Sequence, residues 1–350
     1  MLVWWMQEMN DCFYLTGLLS ELKLAVPWGH IAVKVWGSQK NPPVLCLHGW
    51  LDNANSFDRL IPLLPQGGLW TEGQWRGGNC HADPFLVLLS AAGFHYVAMD
   101  FGGHGLSSHH HPGFPYYHQS FVSDVRRVAT AFKWIQFSIL GHSFGGTVGS
   151  MFACTFPEMV DKLILLDTTP FALDSNETEN ILTYKRRNIE HMLKVEASQK
   201  SPRVSSPEEL LQGFLASNNH LSKECGELLL QRGTTKVDTG LVLNRDRRIS
   251  LPENVIDFVS KEMFAYYTRS LQANVLLIKA TQGYFDVRRE NDANKEPLLL
   301  ILDMLRAILK ERFQYVEVPG NHYVHMNEPH LVAGFISSFL QSQPRTSSRL

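Results

Sequence analysis

Ser143, set in Gly141-His142-Ser143-Phe144-Gly145, is followed along the chain by Asp167, Asp286 and His322, the residue types that nucleophilic acyl transfer requires. A serine hydroxyl is a poor nucleophile at neutral pH, so it needs an imidazole within hydrogen-bond reach to take its proton. The imidazole in turn needs a carboxylate on its other nitrogen to fix its tautomer and to stabilise its charged form. Serine first, acid second and histidine last is the order found where the serine stands on a sharp strand-to-helix turn. The context here is that turn: the apolar run Phe137-Ser138-Ile139-Leu140 precedes the motif, and a helical stretch from Phe144 to Phe156 follows it. A plain glycine turn with an idle serine has the same letters, and the flanking strand and helix separate the two cases.

His322 ends Val318-Pro319-Gly320-Asn321-His322, on the loop after the last strand, and is the expected general base. His325, three residues on, is its rival and is read as lining the following helix. Two aspartates compete as acid. Asp286, on the loop after the strand Val275 to Ala280, is preferred, and Asp167, at the end of the preceding strand, is the alternative. The developing oxyanion needs N–H donors. Leu47-His48-Gly49-Trp50 follows an early strand, so the amide of Trp50 can stand beside that of Phe144, with His48 bracing the loop.

Another glycine-rich loop, Asp100-Phe101-Gly102-Gly103-His104-Gly105-Leu106-Ser107, suits a tight turn beneath the site. His104 with His109, His110 and His111 invites a metal reading, but three of these are adjacent and no carboxylate or cysteine joins them at ligand spacing. Neither a metal nor a cofactor is expected.

The elements that hold these residues read as a mostly parallel α/β sheet. Near-continuous apolar runs at Ile31 to Trp36, Val44 to Leu47, Tyr96 to Met99, Phe137 to Leu140, Leu163 to Leu166, Val275 to Ala280 and Tyr315 to Val318 mark strands covered on both faces. Phe121 to Trp134 carries apolar residues at helical spacing. Every chemical motif falls at the carboxyl end of a strand, where open α/β sheets bind ligands. A core of residues 25–167 and 275–341 is expected. Residues 168–274 form a helical cap, with helices at Glu177 to Lys200, Pro207 to Ser217, Leu221 to Arg232 and Glu253 to Leu271 and no convincing strand. Its aromatic residues Phe171, Phe214, Phe264, Tyr266 and Tyr267 either line an apolar pocket or pack internally. Residues 67–93 are a Gly- and Trp-rich insertion, longer than such connections usually run. Residues 342–350 are a flexible tail.

Bulk properties narrow the function classes. The chain has 350 residues, 44% of them hydrophobic and 19% charged, enough to bury a sizeable core. Its 32 basic and 34 acidic residues form no single-sign block, which argues against nucleic acid and for a small-molecule substrate. The five cysteines lack CxxC spacing and point to a reducing compartment. The apolar start Met1 to Met6 has no basic flank and is interrupted by Glu8 and Asp11, so no secretory signal is expected. No uncharged apolar run reaches the roughly 18 residues of a membrane span. Ser348-Arg349-Leu350 is a conservative variant of the Ser-Lys-Leu address read by the peroxisomal import receptor.

The motifs at 47–53 (Leu-His-Gly-Trp-Leu-Asp-Asn), 100–107, 141–146 and 319–322 together resemble the serine hydrolase-like proteins of vertebrates, within the α/β-hydrolase superfamily. The resemblance spans nearly the whole chain; residues 67–93 depart from it. It implies a serine hydrolase with Ser143 as nucleophile and His322 as its histidine, an ester or related acyl substrate, and a perinuclear or peroxisomal location that also admits the cytoplasm. Enzymes of this fold that use an elbow aspartate, the epoxide hydrolases and haloalkane dehalogenases, are disfavoured by Ser143. Two alternatives stay open because fold does not fix reaction: a catalytically silent binding protein, and lyase or perhydrolase chemistry on the same residues.

Overall fold

The computed structural model describes residues 19–66, 93–174, 176–198, 203–251, 256–284 and 296–342. Almost all of the insertion at 67–93, Asp286 and the Ser348-Arg349-Leu350 terminus lie outside the described residues.

Eight strands form one sheet: β1 (Ser20–Val26), β2 (Gly29–Trp36), β3 (Pro43–Leu47), β4 (His95–Met99), β5 (Phe137–His142), β6 (Val160–Leu166), β11 (Asn274–Gln282) and β12 (Phe313–Asn321). Their spatial order is β1-β2-β4-β3-β5-β6-β11-β12. The β1/β2 and β2/β4 pairs are antiparallel, and every other pair is parallel. The strands are apolar at nearly every position because both faces are covered. In β6, Leu163 and Leu165 enter one core while Ile164 and Leu166 enter the other. In β11, Val275 and Leu277 alternate with Leu276 and Ile278 in the same way. Helices His118–Ala131, Phe144–Thr155 and Glu296–Leu309 cover the first face, and His330–Gln341 covers the second.

The periodicity within these helices explains their seating. In His118–Ala131, Phe121, Val125, Val128 and Ala129 are buried at the spacing of a single helical stripe. Burying each large apolar side chain is worth roughly 1.5–3 kcal/mol, so the stripe alone orients the helix. The sheet starts earlier than residue 25 because β1 is an edge strand. Its exposure alternates, and Glu21 and Lys23 interrupt the apolar pattern that betrays the central strands.

The cap contains helices Glu177–Ala197, Pro207–Ala216, Lys223–Gly233 and Lys261–Ser270. Pro207–Ala216 starts where it does because Ser206 accepts from the Glu209 amide and the Glu209 side chain reaches back, with proline at the first helical position. The cap also holds strands absent from the sequence reading. β7 (Ala172–Leu173) pairs in parallel with β10 (Phe258–Val259), and β8 (Thr234–Val237) forms a hairpin with β9 (Gly240–Leu243). These segments are very short and only partly buried, so they leave no alternating pattern to detect. Hydrogen bonds tie cap to core: Asn53 and Asn55 side chains donate to the carbonyls of Leu229 and Leu228, both at 2.9 Å. Among the described residues no helix is long and apolar enough to cross a membrane.

Candidate functional site

Ser143 links β5 to Phe144–Thr155 with φ +50° and ψ −121°, a backbone conformation that costs a non-glycine residue about 1–3 kcal/mol. Its neighbours impose the strain. A Cβ on Gly141 would lie 2.6 Å from Cα of Gly146, and one on Gly145 would lie 2.1 Å from the carbonyl oxygen of Leu47. Only glycine permits strand, helix and the loop after β3 to converge here. The Ser143 amide donates to the Leu166 carbonyl at 3.1 Å, which pins the elbow to the end of β6.

His322 follows β12 and is 4% exposed. His142, the residue before the serine, donates from Nε2 to the His322 carbonyl at 2.9 Å, and the two rings lie 4.7 Å apart. The elbow and the loop from near the far end of the chain are therefore in contact. The His322 Nδ1 donates to Oδ2 of Asp167 at 2.6 Å, which leaves Nε2 as the nitrogen for a hydroxyl proton. The cap reaches this loop as well: the His322 amide donates to Nδ1 of His220 at 3.3 Å, and Asn321 donates to the His220 carbonyl at 2.9 Å. The His220 ring stacks on Tyr284 at 4.4 Å, and Tyr284 lies 4.7 Å from the His322 ring.

The carboxylate on His322 is thus that of Asp167, which the sequence reading ranked second, whereas the favoured Asp286 lies outside the described residues. Asp167 is placed by the β6/β11 pairing: its amide donates to the Ile278 carbonyl at 2.8 Å, and its Oδ1 accepts from the Ala280 amide at 3.0 Å. The same oxygen takes the buried ammonium of Lys279. Burial alone would raise the Asp167 pKa, but the hydrogen bond and charge of His322, with the Lys279 ammonium, outweigh it and hold the carboxyl below its usual range. Asp167→Asn is expected to lower kcat by about 10⁴-fold by leaving His322 in the wrong tautomer. Asp286→Asn should leave the rate within a small factor. Steady-state kinetics of the two variants compares them directly, and the reverse ranking would return the role to Asp286.

The remaining histidines have other occupations. His48 is fully buried; it donates from Nδ1 to the Gly49 carbonyl at 2.7 Å and accepts the Phe101 amide at Nε2, 3.1 Å away. Burial drives its pKa down to about 3, so it is a neutral brace for the loop that carries Trp50. His325 is hydrogen-bonded to Ser56 at 2.9 Å and is likewise pushed to about 3 by burial. His109 donates to the Asn244 carbonyl and His110 stacks on Tyr116 at 4.2 Å. Among the described residues no group of three or more His, Cys, Asp or Glu could hold a metal ion.

The Trp50 ring lies edge-on to Phe144 at 4.7 Å, so the loop after β3 abuts the elbow. The Phe144 amide opens its helix, where N–H groups have no intrahelical acceptor. Of the cap aromatics, Phe171 and Phe264 pack on each other at 5.5 Å inside the core, Tyr266 is exposed, and Phe214 lines a cleft between cap and core. Sequence reasoning passed over Lys279, although a lone lysine inside the apolar run Leu276-Leu277-Ile278-Lys279-Ala280 signals a buried partner.

Comparisons with known proteins bear on the fold and the family. Residues 42–329 match the family model described as alpha/beta hydrolase fold. The chain is 70% identical to the serine hydrolase-like protein of Mus musculus, over 95% of this chain and 100% of the mouse protein. It is 65% identical to serine hydrolase-like protein 2 of Homo sapiens, over 93% of this chain and 95% of that one. Among solved structures, a hypothetical protein from Pseudomonas aeruginosa PAO1 superposes with a TM-score of 0.74 at 27% identity, covering 92% of this chain and 99% of its own.

Proposed function

Because the chain belongs to the serine hydrolase-like family of the α/β-hydrolase superfamily, we propose that it cleaves an ester or related acyl compound through a covalent acyl-enzyme. Ser143 Oγ attacks the acyl carbon while His322 Nε2 takes its proton, and the charged imidazole is held by Asp167. The tetrahedral oxyanion receives the amides of Phe144 and Trp50. Collapse expels the leaving group with the proton from His322, and water then repeats the sequence on the acyl-enzyme. The observation that carries this reading is the 2.6 Å hydrogen bond from His322 to Asp167 beside a serine held at positive φ.

Peroxisomal import through Ser348-Arg349-Leu350, alongside a cytoplasmic pool, belongs to the same proposal. Incubation with a fluorophosphonate probe tests the chemistry. The wild type is expected to label at Ser143 and Ser143→Ala to remain unlabelled; a folded wild type that labels no better than the variant overturns the reading.

A further inference from the structure

His322 is held at its polar groups by three separate elements. Asp167, at the end of β6, accepts from its Nδ1 at 2.6 Å, and His142 of the elbow donates to its carbonyl at 2.9 Å. The third contact comes from the cap, where Nδ1 of His220 accepts the His322 amide at 3.3 Å. Two of these contacts belong to the core, whereas the third exists only while the cap is docked. An imidazole that accepts at Nδ1 carries its proton on Nε2, so the His220 ring is neutral in this arrangement.

Docking of the cap segment 218–222 does not rest on that ring. The His220 carbonyl accepts from Nδ2 of Asn321 at 2.9 Å and from Nδ2 of Asn327 at 2.8 Å, and the Ser222 amide donates to Oδ1 of Asn327 at 3.1 Å. On the cap side these are main-chain bonds, independent of the side chain at position 220. Asn218 adds a bond of 3.0 Å to the Tyr323 hydroxyl, which donates in turn to Oδ1 of Asp52 at 3.1 Å. Asp52 closes the turn that follows Trp50, its amide donating to the Gly49 carbonyl at 3.2 Å. The segment thus grips the histidine loop directly and the loop after β3 through Tyr323. What the His220 ring adds is one contact aimed at His322 itself. Tyr284 steadies the ring, stacking on it at 4.4 Å with the planes 7° apart.

We propose that His220 is a positioning residue for the reaction at Ser143: by holding the His322 amide from the cap it fixes where His322 Nε2 stands, so that a docked cap is a condition of proton transfer. A misplacement of about 1 Å, caused by a residue away from the chemistry, can cost roughly 100-fold in rate. This role rests on the hydrolase reading, whereas the anchoring of the loop does not.

Two readouts keep these apart. His220→Ala removes the acceptor and leaves the main-chain bonds, and His220→Asn returns an acceptor oxygen close to the position of Nδ1. With p-nitrophenyl butyrate, His220→Ala is expected to lose roughly 10- to 100-fold in kcat with KM changed by less than about threefold, and His220→Asn to recover most of that loss. Fluorophosphonate labelling of Ser143 should slow in His220→Ala by the same factor and still reach one label per chain. A partly unfolded variant would instead label to a lower stoichiometry at the wild-type rate. That result, a wild-type kcat in His220→Ala, or an asparagine variant as slow as the alanine variant overturns the proposal. Hydrogen exchange reads the anchor without turnover: the peptide that contains the His322 amide is expected to exchange about 10-fold faster in His220→Ala than in the wild type or His220→Asn. Unchanged exchange also overturns it. A wild type that neither turns over nor labels would remove the hydrolase reading, while exchange would still decide whether His220 holds the loop.

Discussion

Replacing Ser143 by alanine is expected to lower kcat for an activated ester by about 10⁴- to 10⁶-fold, and adding His322→Ala to that variant should cost almost nothing more. The prediction follows from the way the residues act as one unit. Once the hydroxyl is gone there is no proton for Nε2 of His322 to take, so its removal acts on a function already lost. On the proposed mechanism the background rate that survives comes from the amides of Phe144 and Trp50, which none of these substitutions touches. Single-turnover kinetics of the two single variants and the double variant reads the effect. Losses that multiply across the double variant would show that serine and histidine act in separate steps, and a Ser143→Ala enzyme within tenfold of the wild type would assign the nucleophile elsewhere.

The second large effect falls on stability. Arg232, on the cap helix Lys223–Gly233, reaches into the core, where its Nε meets both oxygens of Asp100 at 3.1 and 2.8 Å while its Nη1 holds Glu21 on β1 at 2.6 Å. Asp100 is fully buried and also accepts the amides of Ala54 and Leu106. Arg232→Ala leaves that carboxylate buried and without its cation, and is expected to destabilise the fold by about 3–5 kcal/mol in chemical denaturation. Asp100→Asn in the same background keeps one oxygen as an acceptor while removing the stranded charge, so it should recover part of the loss. Glu21 is half exposed, and Glu21→Ala should cost no more than about 1 kcal/mol. A change below 1 kcal/mol in Arg232→Ala would mean that solvent reaches Asp100 once the guanidinium is removed.

What the sequence discloses here is what is local. Ser143 and its glycines are contiguous, and the clash distances at Gly141 and Gly145 show why that string admits little else. His322 follows a strand whose end is marked by Pro319 and Gly320. The acid is a different case. Asp167 meets His322 because β6 pairs with β11 and β11 with β12, and the register that joins Leu166 to Ile278 appears in no local pattern. Position along the chain favoured Asp286; the strand pairing brings Asp167 to the ring. The cap hairpin Thr234–Val237 with Gly240–Leu243 was hidden for another reason, since half-exposed four-residue strands have no face to pattern.

Lys279 gives the reaction centre a standing counter-ion. Without it the Asp167 carboxylate would depend on His322 alone for a counter-charge in the protein interior, and the ammonium on its other oxygen supplies one whatever the ring carries. In the proposed reaction a neutral His322 gains the serine proton, so the trio goes from no net charge to one positive charge, created at the same moment as the negative charge on the tetrahedral oxygen. The resting trio and the transition-state assembly are then both electrically balanced, and neither depends on water entering to compensate them.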